Sequence, residues 1–566
     1  MSEYTTEKNV LILLSLLKQY KVRKIVASPG ATNITFIASA QSDPFFEIYS
    51  SVDERSAAYI ACGLSAESGD PVVLSCTGAT ASRNYMPGLT EAFYRKLPIL
   101  AVTSTQSCTL IGQHVAQVID RSSVPNDIVK QSFLIPLIKD ARDEVFCMQK
   151  VNSALQNLTQ DGGGPVHINL ETRYTRDFSC TSLPHFRKIE RITPFDDFPE
   201  LPSGKIGIFV GAHKKWNIEA TKIIDDFCAS HDAVVLCDHT SAYKGAYRIL
   251  TALAATQNKV NKGLFGFDLI IHIGEISGDY DTIGRLRPKE VWRVSPDGIM
   301  RDTFNRLTHM FVMPEFVFFK HYAAHSVVNS SQLDEFKEEY SKLSASIPDL
   351  PFSNIWIAHQ ISNKLPLNSN LYLGILNTLR SWNLFEISMS IDAYSNVGGF
   401  GIDGMLSSML GSSLADPKKI NIGIVGDLGF FYDMNVLGNR HVGKNFRILL
   451  VNNGTGTEFK NYNHFAAMFG ERSDQFIAAT GHYGNQSPVL VKHYAEDLGF
   501  VYLSAKNKNE FCDVINTFLS PNVEAPMLLE VFTKSSDEST ALKMIKEINC
   551  EPKSKLKSVW DKVRGK

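Results

Sequence analysis

Short apolar runs recur along the chain without a strict apolar–polar alternation. Before residue 180 they are KIVASPG, PVVLSC, LPILAVTS and GPVHINL. Between them, apolar residues recur at helical spacing, as in AAYIACGLSAESG, which ends at a glycine, and in TTEKNVLILLSLLKQY. In the latter, VLILLSLL is predicted to be the buried face of an amphipathic helix. Continuous apolar strands that alternate with helices are typical of parallel sheets covered on both faces. The pattern therefore predicts an α/β domain over residues 1–182.

The same pattern returns twice after a polar, proline-rich stretch, which is predicted to be a linker over residues 183–202. A second set of strands, KIGIFVGA, AVVLCD, LIIHIG and EVWRVSP, predicts a Rossmann-like domain over residues 203–345. A third set, NLYLGI, INIGIVGD, FRILLVNN and PMLLEVF, predicts a domain over residues 354–566. The expected fold is α/β, with three doubly wound parallel-sheet domains.

Composition and charge agree with a soluble multidomain protein. The 566 residues are too many for one core, and 44% are hydrophobic and 20% charged. A net charge of −2 gives no electrostatic reason to expect nucleic acid or a membrane as partner. The nine cysteines form no CxxC pair, and no signal peptide is evident at the N-terminus. A cytoplasmic location is therefore predicted.

Polar residues follow two apolar strands in the third predicted domain. Asp427 ends INIGIVGD, and Asn453 ends FRILLVNN, 26 residues later. Ligands of α/β proteins bind at the carboxyl ends of strands. A carboxylate, an amide oxygen and loop carbonyls suit Mg²⁺ or Ca²⁺, and Mg²⁺ with open positions usually bridges a diphosphate. The other interpretation is that Asp427 is a helix N-cap and Asn452-Asn453 a turn.

A GD pair and an NN pair, each after an apolar strand, resemble the metal–diphosphate motif of thiamine diphosphate (ThDP) enzymes. The stretch from SVDERSAAY to LPILAVTS resembles their pyrimidine-binding domain. Within that superfamily the chain resembles the menaquinone-pathway 2-succinyl-5-enolpyruvyl-6-hydroxy-3-cyclohexene-1-carboxylate (SEPHCHC) synthases. The matching stretches are SPGATN, VSPDGIMRD, YSNVGGFGIDG and GDLGFFYDMN. The resemblance implies pyrimidine, middle and diphosphate domains in that order.

The resemblance implies roles for individual residues. Glu54, in VDERSAAY, stands where the family's glutamate activates the cofactor by a hydrogen bond to N1′ of the aminopyrimidine. Asp427 and Asn453 would bind Mg²⁺ by their side chains and Thr455 by its carbonyl. Ile402 matches the bulky residue that keeps ThDP bent. The other implied cofactor-binding positions are Gly401, Gly426, Leu428, Gly429, Thr80 and Asn84. The middle domain lacks the pattern of FAD-binding acetolactate synthases, so FAD is not expected.

The positions matched to the family's substrate contacts differ from its pattern. Thr32, Gln106 and Val397 stand where SEPHCHC synthases carry arginines, and Leu376 where they carry a serine. Only Arg380 matches a family arginine. Arginines are natural forked clamps for carboxylates, and both menaquinone-pathway substrates carry several. The substrates are therefore expected to differ, with a small 2-oxo acid such as pyruvate as donor and Arg380 as its anion contact.

Three further residues are candidates for the substrate site. His114, in GQHVAQVIDR, could shuttle protons or could be a hydrogen-bonded loop histidine. Arg121 ends the same stretch and could replace a missing clamp. Glu458 follows the NN pair and could face either the cofactor or water.

The expected function is a ThDP- and Mg²⁺-dependent decarboxylase and carboligase. It would move the acyl-anion unit of a 2-oxo acid to an aldehyde, ketone or sugar-like acceptor. A simple ThDP-dependent decarboxylase and a catalytically lapsed cofactor-binding homologue are the alternatives. A nicotinamide-dependent Rossmann enzyme is disfavoured, because no GxGxxG follows a strand. The resemblance also implies a homodimer or homotetramer with shared active sites.

Overall fold

The computed structural model describes residues 3–324, 330–478, 480, 487–522 and 524–550. The chain divides into two compact units. The smaller unit contains Met1–Phe195 and Gly298–Met310, and the larger contains Asp196–Asp297 and Phe311–Lys566. Three parallel sheets with interleaved helices confirm the predicted α/β class.

The first sheet lies in the smaller unit, and all its paired strands are parallel. Its strands are β1 (Lys24–Ala27), β2 (Glu47–Ser50), β3 (Val72–Thr77), β4 (Ile99–Thr105), β5 (Ser132–Ile135) and β6 (Val166–Glu171). They are ordered β2-β1-β3-β4-β6-β5. The helices around it are Lys8–Gln19, Ile34–Gln41, Glu54–Ser68, Ala79–Asn84, Met86–Arg95 and Ala141–Asn157. Apolar cores cover both faces, as continuous apolar strands require.

Two segments of this unit differ from the pattern expected of them. Helix Lys8–Gln19 is buried from Asn9 to Leu17 and not along one face only. The predicted linker contains a strand, β7 (Glu190–Ile192). The carbonyl of Ile189, just before β7, accepts hydrogen bonds from the Tyr20 hydroxyl at 2.7 Å and from Gln156 Nε2 at 2.6 Å. The polar stretch is therefore anchored to the first domain, and the domain limits remain predictions.

The second sheet is centred in the larger unit. Its strands there are β8 (Ile206–Val210), β9 (Val234–Cys237), β10 (Arg248–Leu250), β11 (Gly266–Ile273) and β12 (Arg287–Val294). They run parallel in the order β10-β9-β8-β11-β12. A further strand, β13, spans Leu307–Phe311. The helices of this region are Ile218–His231, Ala252–Ala255, Tyr280–Arg285, Glu315–Tyr322 and Ser331–Ala345.

The third sheet repeats the topology of the first. Its strands are β14 (Asn370–Leu373), β15 (Asp392–Tyr394), β16 (Asn421–Gly426), β17 (Phe446–Asn452), β18 (Val501–Ala505) and β19 (Met527–Phe532). Their order, β15-β14-β16-β17-β19-β18, is the order of the first sheet strand for strand. The direction of the connections reverses between β14 and β16, which is where open parallel sheets bind ligands. The helices are Asn354–Ile361, Asn377–Trp382, Met405–Ala415, Asp427–Asp433, Leu490–Asp497, Lys508–Leu519 and Ser535–Lys546.

Candidate active site

A cavity of about 230 Å³ opens at the switch point of the third sheet. Its wall is built by the segments that follow three neighbouring strands: Gly374–Thr378 after β14, Gly426–Gly429 from the end of β16, and residues between Asn453 and Phe459 after β17. Ile402 completes one side. The fold thus places the GD and NN segments around one cavity, as their positions at strand ends predict.

Asp427 joins the two motif segments directly. Its side chain is buried, with 2% of the residue exposed. Oδ2 accepts hydrogen bonds from the backbone N–H of Asn453 at 3.2 Å and of Gly454 at 2.7 Å, and Oδ1 accepts from the N–H of Leu428 at 2.8 Å. Gly426 occupies the N-cap position of the following helix, so Asp427 is its first residue and not its cap.

The donor set around Asp427 consists of hard oxygens. Asn453 Oδ1 accepts from the N–H of Thr455 at 3.3 Å, and the Thr455 hydroxyl donates to the Ala478 carbonyl at 3.0 Å. These bonds hold the loop, and Asp427, Asn453 and Thr455 all line the same cavity. A carboxylate, an amide and a carbonyl suit Mg²⁺, with the remaining ligands supplied by a diphosphate. The residues present therefore fit the Mg²⁺–ThDP pair that the resemblance implies.

Gly429 is closely packed at the cavity wall. A Cβ atom there would lie 3.0 Å from Cγ2 of Val425 and 3.2 Å from the carbonyl oxygen of Ile402. Ile402 itself contributes to the cavity wall, from the loop that contains Gly401. The GDLG sequence therefore allows the start of the helix to approach the loop of the bulky residue.

The sequence analysis did not predict two buried glutamates that lie near the GD and NN segments. Glu530, in the centre of β19, accepts from Asn452 Nδ2 at 2.8 Å and from the Tyr502 hydroxyl at 2.7 Å. Glu538 lies on the cavity wall and accepts from the backbone N–H of Asn354 at 3.0 Å. Burial raises the pKa of Glu538 to about 7. The charged residue within the apolar run MLLEVF was the available signal for Glu530.

Glu54 and Asn84 meet in the smaller unit. Glu54 is the first residue of helix Glu54–Ser68, and the side chain of Asp53 caps that helix by accepting from the N–H of Ser56 at 2.9 Å. Asn84 ends helix Ala79–Asn84, and its Nδ2 donates to Glu54 Oε2 at 3.1 Å. Thr80 lies in the same short helix, after β3. A carboxylate oriented by an amide is suited to hydrogen bonding with an aminopyrimidine.

Thr32 and Gln106 are bonded within the smaller unit. The Thr32 hydroxyl donates to the carbonyl of Ser104 at 2.7 Å and also contacts the Thr77 hydroxyl, and only 3% of Thr32 is exposed. Gln106 Nε2 donates to the Tyr174 hydroxyl at 3.3 Å. Neither side chain offers a forked cation.

His114 and Arg121 have opposite environments. His114 is exposed and has a positive φ of 55°. Arg121 is buried, and its guanidinium donates to Thr103 Oγ1 at 2.6 Å and to Asn169 Oδ1 at 2.5 Å. Burial lowers the pKa of Arg121 to about 10. The substrate contacts proposed for these two residues remain predictions.

In the larger unit, Arg380 and Glu458 form a bidentate ion pair, with N–O distances of 2.8 and 3.0 Å. Val397 is buried, and a Cβ at Gly278 would lie 3.5 Å from its Cγ1.

Leu376, on the cavity wall, has φ 64° and ψ −120°, a conformation that costs a residue with a side chain about 1–3 kcal/mol. Backbone strain of this kind is characteristic of functional sites.

Comparison with known proteins identifies the family. Residues 10–124 match the family model described as thiamine pyrophosphate enzyme, N-terminal TPP binding domain. A SEPHCHC synthase from Phocaeicola vulgatus is 32% identical over 558 residues, which cover 95% of this chain and 98% of the relative. The chain belongs to the SEPHCHC synthase family. SEPHCHC synthases from Bacteroides fragilis and Flavobacterium psychrophilum are 29% and 27% identical, over 95% and 90% of this chain.

Membership of the SEPHCHC synthase family confirms the resemblance drawn from the sequence and supports a ThDP-dependent, carboligase-like enzyme. The matched N-terminal model covers Glu54, Thr80 and Asn84. Among the residues that the structure describes, no helix is both long and apolar enough to span a bilayer.

The buried His167 in the smaller unit predicts how the stability of this family member depends on pH. Its ring nitrogens lie 2.7 Å from the hydroxyls of Thr103 and Ser132, and burial lowers its pKa from 6.5 to about 3. Between these pH values His167 is protonated in the unfolded chain and neutral in the folded chain. The free energy of unfolding therefore falls as the pH drops from 6.5 towards 3.

His167→Gln is expected to flatten this pH dependence by up to about 1.4 kcal/mol per pH unit. Urea unfolding of the apoprotein at several pH values between 6.5 and 4 measures the slope. His185→Gln, at an exposed histidine, is the control. Parallel slopes for the wild type and His167→Gln would contradict the assignment.

Proposed function

We propose that this protein is a ThDP- and Mg²⁺-dependent enzyme that decarboxylates a 2-oxo acid and transfers the acyl-anion unit to an aldehyde, ketone or sugar-like acceptor. The supporting observation is the cavity at the switch point of the third sheet. There the buried Asp427 carboxylate is hydrogen bonded to the loop that begins at Asn453. Family membership supports the cofactor, and the hard-oxygen donors support the metal.

Each residue has a defined task in this proposal. ThDP, when bound, supplies a nucleophilic carbon and an electron sink for decarboxylation. Asp427, the Asn453 side chain and the Thr455 carbonyl would hold Mg²⁺. Glu54, oriented by Asn84, would hydrogen bond to N1′ and exchange a proton there.

The wall of the cavity would limit access of water to the cofactor. Gly426, Leu428 and Gly429 would lie along the diphosphate. Apolar side chains, Leu376 and Ile402 among them, also line the cavity. Exclusion of water strengthens the electrostatic interactions within such a site.

The substrates are proposed to differ from those of SEPHCHC synthases. Thr32 and Gln106 cannot replace a guanidinium, and both are hydrogen bonded within the smaller unit. Val397 is apolar and buried. Removing one partner of a buried charge-assisted pair costs about 2–5 kcal/mol. The donor is therefore proposed to carry fewer carboxylates than 2-oxoglutarate, with pyruvate or a similarly small 2-oxo acid favoured.

A substrate screen tests the proposal. The holoenzyme is given a set of 2-oxo acids, with and without aldehyde, ketone and sugar acceptors, and CO₂ release is measured. A small 2-oxo acid is expected to react, faster when an acceptor is present. With 2-oxoglutarate and isochorismate, kcat/KM should be at least about 30-fold lower.

The other outcomes of the screen select another function. Efficient turnover of 2-oxoglutarate and isochorismate would overturn the proposed difference in substrates. Release of CO₂ that is independent of any acceptor would indicate a simple decarboxylase. Absence of C2 proton exchange in bound ThDP would indicate a lapsed homologue.

A homodimer or homotetramer with shared sites is also proposed. Three apolar side chains near Glu54 in the sequence are exposed: Val52 before helix Glu54–Ser68, and Tyr59 and Ile60 within it. Exposed apolar side chains close to a catalytic group favour burial against another subunit.

Mixing inactive Glu54→Gln and Asp427→Ala chains is expected to restore part of the activity, since one site of each mixed dimer would contain both native groups. Turnover is measured after subunit exchange has been verified by native mass spectrometry. Each variant alone is the control. Verified exchange without any recovery would contradict a shared site.

A further inference from the structure

Arg380 and Glu458 form a hydrogen-bonded ion pair within the larger unit. Nη1 donates to Oε2 at 2.8 Å and Nη2 to Oε1 at 3.0 Å, which is the forked geometry of bidentate carboxylate recognition. The side chains are only 27% and 20% exposed, so the pair differs from a solvated surface salt bridge. The Nη1–Nη2 edge of the guanidinium, one of the edges on which an arginine binds a carboxylate, is occupied by a carboxylate of the same chain.

Hydrogen bonds through the Asn377 side chain hold this pair in place. Asn377, at the start of the helix that contains Arg380, accepts from Arg380 Nη1 at 3.2 Å. The same oxygen, Oδ1, accepts from Asn461 Nδ2 at 3.0 Å. Asn461 directly follows the 3-10 helix Thr457–Lys460, which contains Glu458. The Asn377 amide oxygen therefore ties the two segments together and positions the pair.

Glu458 lines both the cavity that contains Asp427 and a second cavity. It contributes to the wall of the cavity beside Asp427. With Arg380 it also lines a second cavity, of about 140 Å³. A substrate that extended from one cavity towards the other would meet Glu458.

The second cavity carries more carboxyl groups than cations. Asp279, Asp281 and Glu458 line it together with Arg380 and Lys546. Lys546 Nζ lies 3.5 Å from Asp281 Oδ2, and Asp281 adds to the electrostatic stabilisation of the Arg380 cation. Asp279 adds to it only in part near neutral pH, because burial raises the pKa of Asp279 to about 7. The charge of Arg380 is therefore already compensated, and a further carboxylate would meet like charge.

We propose that Glu458 is a specificity-determining residue, an internal counter-ion that occupies the place on Arg380 that the distal carboxylate of a dicarboxylic 2-oxo acid would take. The site then admits 2-oxo acids whose distal end is uncharged. This role rests on the proposed function, because it concerns the donor of that reaction. Arg380, which the sequence analysis expected to contact the anion of the donor, is here assigned the positioning of Glu458 instead.

Binding of glutarate, a dicarboxylate without a reactive carbonyl, tests the role of Glu458. Calorimetry on the holoenzyme is expected to show at least tenfold tighter binding to Glu458→Gln than to the wild type, which corresponds to about 1.4 kcal/mol. The double variant Arg380→Gln/Glu458→Gln should lose this gain, because the freed guanidinium is absent. Glu471→Gln is the matched control, since Glu471 is an exposed carboxylate in the nearby segment Phe465–Ser473.

Turnover supplies a second readout. In Glu458→Gln, the ratio of kcat/KM for 2-oxoglutarate to kcat/KM for pyruvate should rise at least tenfold, mainly through a lower KM for 2-oxoglutarate. If Glu458→Gln abolished turnover of every 2-oxo acid without tightening glutarate binding, Glu458 would be a catalytic group and the proposed role would be wrong.

Several further results would overturn the role. They are unchanged glutarate affinity in Glu458→Gln, an equal gain in the double variant, and an equal gain in Glu471→Gln. Should Glu458→Gln fail to fold, Glu458→Asp keeps the charge and is expected to exclude glutarate as the wild type does; tighter binding by it would refute the role. Glutarate binding requires no turnover, so a wild type inactive on pyruvate would refute the proposed function and not this role.

Discussion

Asp427→Ala is expected to weaken ThDP binding in the presence of Mg²⁺ by at least about 100-fold, or about 2.7 kcal/mol. Asp427 is the only carboxylate among the residues expected to bind the metal. It also accepts the backbone N–H groups of Asn453 and Gly454, which alanine would leave unpaired at about 1–3 kcal/mol each. The variant therefore removes a metal ligand and loosens the loop that carries the others.

Calorimetric titration of the apoprotein with ThDP and Mg²⁺ measures this loss. Asp433→Asn is the matched control, because Asp433 is a buried carboxylate in the same helix that accepts from the backbone N–H of Ser407 at 2.7 Å. It should lower stability and leave ThDP affinity within about twofold, since Asp433 is not on the cavity wall. Affinity retained by Asp427→Ala would remove the central assignment of the site.

Glu54→Gln is expected to lower kcat by about 100- to 10,000-fold, the usual contribution of proton transfer by a positioned side chain. Glutamine still offers an oxygen to Asn84 Nδ2, which lies 3.1 Å from the Glu54 carboxylate, so the local structure should persist. Glutamine can hydrogen bond to N1′ but cannot exchange a proton with it. The loss therefore belongs to the chemical step and not to binding.

Steady-state turnover, together with ThDP titration, separates these effects for Glu54→Gln. ThDP affinity should stay within a few-fold of that of the wild type. Glu67→Gln, an exposed glutamate near the other end of helix Glu54–Ser68, is the control and should retain full activity. A kcat of Glu54→Gln close to that of the wild type would show that another acid activates the cofactor.

Local features of the sequence were sufficient for the fold class. The apolar run at β3 and the helix closed by Gly69, whose φ is 72°, both form as predicted. Such features depend on residues a few positions apart, and their periodicity is visible in the chain itself. The positions of Asp427 and Asn453 at strand ends predicted a common site for the same reason, because parallel strands end at one edge of a sheet.

Tertiary structure decided features that depend on pairing between distant residues. The common strand order of the first and third sheets is invisible in local patterns, since order depends on which strands pair. The burial of helix Lys8–Gln19 from Asn9 to Leu17 depends on what packs around it, and its own sequence indicated only one buried face. The strand Glu190–Ile192 formed within a stretch whose composition predicted a linker.

The same division holds within the site. The sequence by itself determined two residue types of the cofactor site, a carboxylate after one strand and an amide after the next, and the resemblance to ThDP enzymes added Glu54. Only the fold showed that Glu538, far along the chain, lies on the cavity wall. It also showed that Glu458 pairs with Arg380, 78 residues before it in the sequence. A pair at that separation leaves no periodic signal, because its energy arises only once the strands between have brought the two side chains together.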